Sequence, residues 1–220
     1  MQFLFHKYMK NKLVPALAIL LGFVMMSIGS GEDHKILKIG TKAPMADQKM
    51  KDISGKDFSL KDLKQENGLL VVFSCNTCPF VAGGFGYPGW EKEYNSIFDE
   101  CSKNKIGMVL VNSNEAKRKG DDSLEKMVIH AEKNEYKMPY VVDENHQLAD
   151  AFGAKTTPHI YLFDKDMKLI YTGSIDNIWD KKRESDESYL LNAIGEYSTG
   201  KKISVSTSAP RGCSIKRVSK

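Results

Sequence analysis

Two of the chain's four cysteines, Cys75 and Cys78, stand at the end of an apolar run in "VVFSCNTCPFV", with Pro79 directly after. The C-x-x-C spacing serves two chemistries: it clips a metal, or it opens and closes as a disulfide. A disulfide between residues so close in sequence closes a short loop and removes little unfolded-state entropy, so it is a poor staple and a better switch. Structural zinc needs four ligands, usually as two close pairs. No second C-x-x-C and no H-x-x-x-H is present, the five histidines are scattered, and Cys101 falls on an apolar helical face. Redox chemistry is therefore favoured over metal binding, with no metal and no organic cofactor required. Copper(I) on two thiolates is the sharpest form of the metal reading.

A thiol attacks as its thiolate, and a helix N-terminus lowers a thiol's pKa through its unpaired N–H groups and dipole. Gly68–Ser74, "GLLVVFS", reads as a strand buried on both faces. It would deliver Cys75 to the turn into a helix, with Cys78 one turn later and Pro79 harmless in a first turn. Thr157-Pro158 stands just before another buried strand, "HIYLFD". Proline is allowed at a strand's first position.

The elements that must position these residues follow from periodicity. "KILKIG" is a short strand candidate, and Ser59 can cap a short helix through Leu63. Trp90, Tyr94, Ile97, Phe98 and Cys101 mark an amphipathic helix from Pro88 to about Lys103. "IGMVLVN" is a second buried strand, "NEAKRKGDD" a polar loop, and Asp122 to Glu135 another helix. "MPYVVD" is a short strand and "NHQLADAFG" a short helix ended by Gly153. "HIYLFD" and "KLIYTGS" form a hairpin around "DKDM", and a last helix carrying Tyr189, Leu190 and Ile194 stops at Gly200. Alternating strands and helices argue for an α/β fold with parallel strands and a late antiparallel hairpin. The glycines of "AGGFGYPG", Ala82 to Gly89, interrupt the helix after the cysteines as a bulged, mobile loop. No Lys-Ser/Thr follows, so they are not a phosphate loop. "WDKKRESDES" and the tail are expected to be mobile as well.

The chain divides into 1–30, 36–200 and a basic tail, 201–220, that carries Cys213. The first segment has Lys7, Lys10 and Lys12, no acid, and the uncharged run Leu13–Ile28 followed by small residues. That order is expected of a cleaved signal peptide, with an uncleaved membrane anchor as the alternative. Either places the rest outside the cytoplasm, periplasmic or extracytoplasmic, with membrane attachment only if the segment is retained. Of the 32 basic residues, 29 remain beyond that segment against 28 acidic ones, and no stretch is both basic and aromatic. Nucleic acid is therefore not an expected partner.

"VVFSCNTCPFV", "PYVVDENHQLADAFGAKTTPHIYLFDKDMKLIYTGSIDN" and "GCSIKR", taken in order, resemble the redoxin, peroxiredoxin-like branch of the thioredoxin-like superfamily, the alkyl hydroperoxide reductase/thiol-specific antioxidant type. The resemblance spans about Ile39 to Arg217. It implies a thioredoxin-like fold, a central mixed sheet flanked by helices, with N-terminal extension strands and a C-terminal tail. It further implies an exposed Cys75 as attacking nucleophile, Cys78 as resolving thiol, and Pro158 as a cis-proline. Thr157 would offer backbone hydrogen bonds to a bound substrate peptide.

The chain departs from that pattern. Aligning Cys78 with the peroxidatic cysteine puts Val71 at the family's proline and Cys75 at its threonine. The buried acid of thioredoxin proper is replaced by Leu69, so proton handling falls to Asp143, Glu144 or water. Cys213 reads as a third redox thiol in a tail that packs back on the domain, or as a spare thiol in a disordered end. Cys101 reads as a core residue. The leading function is an exported thiol–disulfide oxidoreductase acting on protein or small-molecule thiols and disulfides, with an upstream electron donor or acceptor. The alternatives are a thiol-dependent peroxidase and a non-enzymatic metal-binding or redox-inert module.

Overall fold

Continuous apolar runs become the centre of the molecule because both faces of their strands meet a layer of helices. The computed structural model describes residues 34–219, and the segment read as a signal, 1–30, lies outside them. In chain order the regular elements are β1 (Met50–Lys51), β2 (Asp57–Phe58), α1 (Leu60–Leu63), β3 (Gly68–Ser74), α2 (Pro79–Ala82) and α3 (Tyr94–Lys103). Then come β4 (Ile106–Asn112), α4 (Leu124–Lys133), β5 (Tyr140–Val142), α5 (Gln147–Phe152) and β6 (Thr156–Thr157). Last are β7 (His159–Phe163), β8 (Leu169–Gly173), α6 (Tyr189–Ser198) and β9 (Cys213–Ser214).

The main sheet has the order β5-β4-β3-β7-β8. β3 runs parallel to β4, with Gly68 opposite Ile106 and Ser74 opposite Asn112, and antiparallel to β7, with Val72 opposite Ile160. The expected central mixed sheet flanked by helices is thus observed. Period-two alternation divides β3 between two cores. Leu70 and Val72 pack with Tyr94, Ile97, Met127, Leu190 and Ile194 from α3, α4 and α6. Leu69, Val71 and Phe73 pack with Leu60, Leu148, Phe152 and Tyr161 on the other face. Each such side chain contributes about 1.5–3 kcal/mol by leaving water. Phe73 meets Phe152 and Tyr161 edge-on at 5.5 and 5.6 Å between ring centres.

Local signals mostly place the element ends. Ser59 and Asp62 form a reciprocal capping box at α1, and Gly153, at φ 65°, ends α5. Four expectations are corrected. "KILKIG" forms no strand, because its amides bond to separate elements: Leu37 N–H to the Phe152 carbonyl at 2.9 Å and Gly40 N–H to that of Leu169 at 2.8 Å. The helix expected from Pro88 begins at Tyr94, after a 3₁₀ turn at Glu91–Glu93. Trp90 precedes that turn, held by its Nε1–H on Asp176 at 3.0 Å. The next helix starts at Leu124 because Ser123 caps it, accepting from Lys126 N–H at 3.3 Å.

The fourth correction concerns the tail. Its composition reads as mobile, but it is held along the domain, the packed-back arrangement that the resemblance implied. Ser208 N–H bonds the Thr172 carbonyl at 3.0 Å, and β9 pairs antiparallel with β6. Among the described residues no helix is long and apolar enough to cross a membrane.

Candidate functional site

β3 ends at Ser74, and the chain turns through Cys75–Asn76–Thr77 before α2 starts at Pro79. The helix expected at Cys75 therefore begins only at Pro79, with Cys78 at its N-cap, φ −70° and ψ 127°. Proline sterically disfavours helical geometry in the residue before it, so a helix opening on Pro79 cannot include Cys78 comfortably. Asn76 fixes the turn. Its backbone N–H donates to Asp122 Oδ1 at 2.9 Å, its Nδ2 to the Asp121 carbonyl at 2.7 Å, and its Oδ1 accepts from Tyr140 OH at 3.0 Å. Gly83, at φ 83°, ends α2 after one turn. The glycine stretch thus leaves the helix short, as expected.

The short helix does not open the site. Cys75 is 2% exposed and Cys78 4%, so the expectation of an exposed first thiol is corrected. All four cysteines are free thiols. Thr157, itself buried, touches both members of the pair. Its Oγ1 lies 3.1 Å from Cys75 Sγ, and its carbonyl accepts from the Cys78 thiol at 3.0 Å. The Thr157-Pro158 peptide is cis. Cys213, brought by β9, donates its backbone N–H to Cys78 Sγ at 3.2 Å. The sequence-selected residues Cys75, Cys78, Thr157 and Cys213 all line one cavity of about 100 Å³, with Lys117 and Lys216 at its rim.

The two thiols differ in their electrostatics. The hydrogen bond from the Cys75 thiol lowers the Cys78 pKa, and contacts from Cys213 lower it further against the opposing effect of burial. Cys75 is pushed the other way, by its bond to Cys78, then by burial, then by the carboxylate of Asp122. Of the two thiols Cys78 is thus the readier to ionise; its proton, shared with the Thr157 carbonyl in the thiol form, is then lost, and the Cys213 N–H and Cys75 S–H face the sulfur as donors. Cys213 is pushed up to about 11, chiefly by burial and then by its contact with Cys78.

The sequence marks Asp122 only as the start of a helix after a polar loop. It is fully buried and held by three donors. Asn76 N–H and Asn112 Nδ2 reach its Oδ1, and Asn114 Nδ2 reaches its Oδ2 at 3.0 Å. The visible signal was the N-x-N at the end of β4, Asn112 and Asn114, polar side chains leaving a buried strand. Asp143 does not take the proton-handling place expected for it. Its carboxylate accepts from Leu148 N–H and Ala149 N–H, both at 2.9 Å, and from Ser113 Oγ at 2.7 Å, and burial raises its pKa. Glu144 is exposed. Leu69 sits in the opposite core from the cysteines. Among the described residues no group of three or more His, Cys, Asp or Glu side chains could hold a metal ion.

Comparison with solved structures places this architecture. An uncharacterized conserved protein from Geobacillus kaustophilus superposes with a TM-score of 0.75 at 27% identity, covering 84% of this chain and 95% of that one. A hypothetical protein from Sinorhizobium meliloti gives 0.73 at 26%, covering 84% and 98%. The thioredoxin domain of a thiol-disulfide oxidoreductase from Bacteroides vulgatus gives 0.52 at 17%, covering 74% and 99%, a likeness of fold. No curated protein matches. The sheet, the cis Thr157-Pro158 peptide and the C-x-x-C corner lie within or beside a stretch, residues 39–172, that matches the AhpC/TSA family model; the chain belongs to the AhpC/TSA family and has the thioredoxin-like fold.

Proposed function

We propose that this chain is a thiol–disulfide oxidoreductase in which Cys75 and Cys78 cycle between dithiol and disulfide. The observation that carries the reading is the asymmetric pair, with a Cys78 thiolate supplied by donors beside a Cys75 thiol kept protonated. This reverses the roles implied by the family resemblance. The Cys78 thiolate attacks one sulfur of R–S–S–R′, forming the Cys78–S–S–R mixed disulfide and expelling R′–S⁻. The Cys75 proton passes to the expelled thiolate. Cys75 then attacks Cys78 Sγ, closes the intramolecular disulfide and releases R–S⁻. Two electrons leave the protein, and an external dithiol of lower potential restores it. Thr157, held by its cis peptide to Pro158, walls the reacting sulfurs.

Cys213 is the third redox thiol of this reading, since its backbone already touches Cys78 Sγ at 3.2 Å. A Cys213→Ser protein with full turnover and an unchanged disulfide map would remove it from the mechanism. Residues 1–30 are taken as an export signal, supported by the basic start and the uncharged run Leu13–Ile28. The mass of the mature chain after secretion tests that assignment.

The decisive assay is reduction of 2-hydroxyethyl disulfide with dithiothreitol as electron source. Turnover should require both cysteines, and equal activity of a Cys75→Ser/Cys78→Ser protein overturns the proposal. The peroxidase alternative uses the same Cys78 thiolate, but Val71 lies on the opposite face of the sheet from the cysteines. The residue aligned with the family's proline therefore does not face the thiol. Stoichiometric peroxide loss in the same assay would favour that alternative.

A further inference from the structure

The strand edge nearest the thiols is covered by the chain's own tail. β6 pairs only with β9 in its sheet, Thr156 opposite Ser214 and Thr157 opposite Cys213. This is the stretch whose Thr157 side chain and carbonyl touch Cys75 and Cys78. An extended polypeptide bringing a disulfide to Cys78 would gain its main-chain hydrogen bonds by adding to such an edge.

The tail is anchored on both sides of this crossing. Upstream, Ser208 Oγ accepts from Ser174 N–H at 2.9 Å, and Ser174 Oγ donates to the Ala209 carbonyl at 2.6 Å. Downstream, Ile215 N–H bonds the Lys155 carbonyl at 3.1 Å, and Lys216 N–H bonds Asn114 Oδ1 at 2.8 Å. Arg217 reaches Asp150 Oδ1 at 2.8 Å and the Ala154 carbonyl at 2.6 Å. Between the anchors Gly212 passes so close that a Cβ there would lie 2.1 Å from the Thr157 carbonyl oxygen. What remains open beside the sulfurs is a cavity of about 100 Å³ that opens to solvent, enough to admit the S–S end of a small disulfide but not an added strand.

We propose that residues 212–215 form a fixed strap over the β6 edge, and that the site therefore turns over low-molecular-weight disulfides and excludes polypeptide disulfides. The proposal rests on the thiol–disulfide reading above and adds the substrate class. A polypeptide must first strip the strap, losing its backbone pairing and the burial of Ile215, which is 5% exposed. A small disulfide needs only the cavity.

The test compares 2-hydroxyethyl disulfide with insulin, both with dithiothreitol as reductant, on the full chain and on full-length Gly212→Ala. The unsubstituted chain should prefer the small disulfide by about 100-fold or more in background-corrected kcat/KM, the scale of a few backbone hydrogen bonds lost to reach the edge. The Cβ of Gly212→Ala collides with main chain, so the strap must shift, and the preference should narrow by about tenfold or more. An unsubstituted chain that reduces insulin within about tenfold of the small disulfide overturns the strap, whether or not the variant folds. A preference that persists unchanged in folded Gly212→Ala overturns it as well. Failure to reduce either substrate instead overturns the thiol–disulfide reading itself.

Discussion

Cys78 and Cys101 are both buried thiols in the same core, and they meet opposite electrostatic fates. Cys101 sits in the last turn of α3, wholly buried, and burial followed by the nearby Glu100 pushes its pKa up to about 12. Cys78 is almost as buried, yet its pKa falls, because the Cys75 thiol and Cys213 supply donors that outweigh desolvation. Burial alone makes a thiol inert. Burial with donors aimed at the sulfur makes it a nucleophile, since donors favour the charged form in a medium that otherwise penalises it. The difference is one of partners more than of depth.

The comparison breaks most sharply by deletion. Cys78→Ser should lower disulfide-reducing turnover by about 1000-fold or more, the loss expected when the nucleophile itself is removed. Cys101→Ala should leave turnover unchanged and cost about 1 kcal/mol of stability for the small cavity, read by urea melts. Equal losses in the two variants would mean that the core, and not the donor set, controls activity.

The second expected effect is in pH. At neutral pH iodoacetamide should alkylate Cys78 at least about 100-fold faster than Cys101, as read by peptide mass maps, because only the thiolate reacts. The rate should fall as pH drops through the depressed Cys78 value, where protonation removes the nucleophile. Taken alone, the Cys78 shift adds stability that is present above the unfolded thiol value of 9.0 and is lost as pH falls through the lowered one, while the raised Cys75 value works against it above 9.0.

A smaller effect separates the two acids near the strand ends. Asp122→Asn removes the charge that helps keep Cys75 protonated, so the Cys75 alkylation profile should move to lower pH by about one unit. Stability should drop by about 1–3 kcal/mol, since Asn76 N–H, Asn112 and Asn114 lose a charged acceptor. Smallest for the chemistry is Asp143→Ala, which removes acceptors for the first amides of α5. It should cost about 1 kcal/mol and leave the cysteine titrations in place. A Cys75 profile that moves with Asp143 and not with Asp122 would exchange their roles.

Much of the frame was legible. "GLLVVFS" and "IGMVLVN" are strands over their whole lengths, because strands covered on both faces must be continuously apolar. Ser59 and Gly153 end their elements by the capping chemistry their types predict. The C-x-x-C pair, Thr157-Pro158 and Cys213 could be selected as chemistry-bearing residues. Harder to read was "KILKIG", which has strand composition but bonds to two different elements and so forms no ladder. The start of α2 was misplaced although its signal was present, since Pro79 bars the residue before it from helical geometry.

By itself the sequence determined the secondary structure that repeats with a period and the identity of the two close thiols. Those are properties of near neighbours, set by side-chain alternation, propensity and capping. Tertiary structure alone decided that the donors converge on Cys78 rather than Cys75, that Asp122 rather than Asp143 lies beside the pair, and that the tail closes the β6 edge. Each depends on groups from separate elements meeting around one sulfur. A pKa and an accessible edge are set by what lies within a few ångströms, and no spacing along the chain encodes that directly.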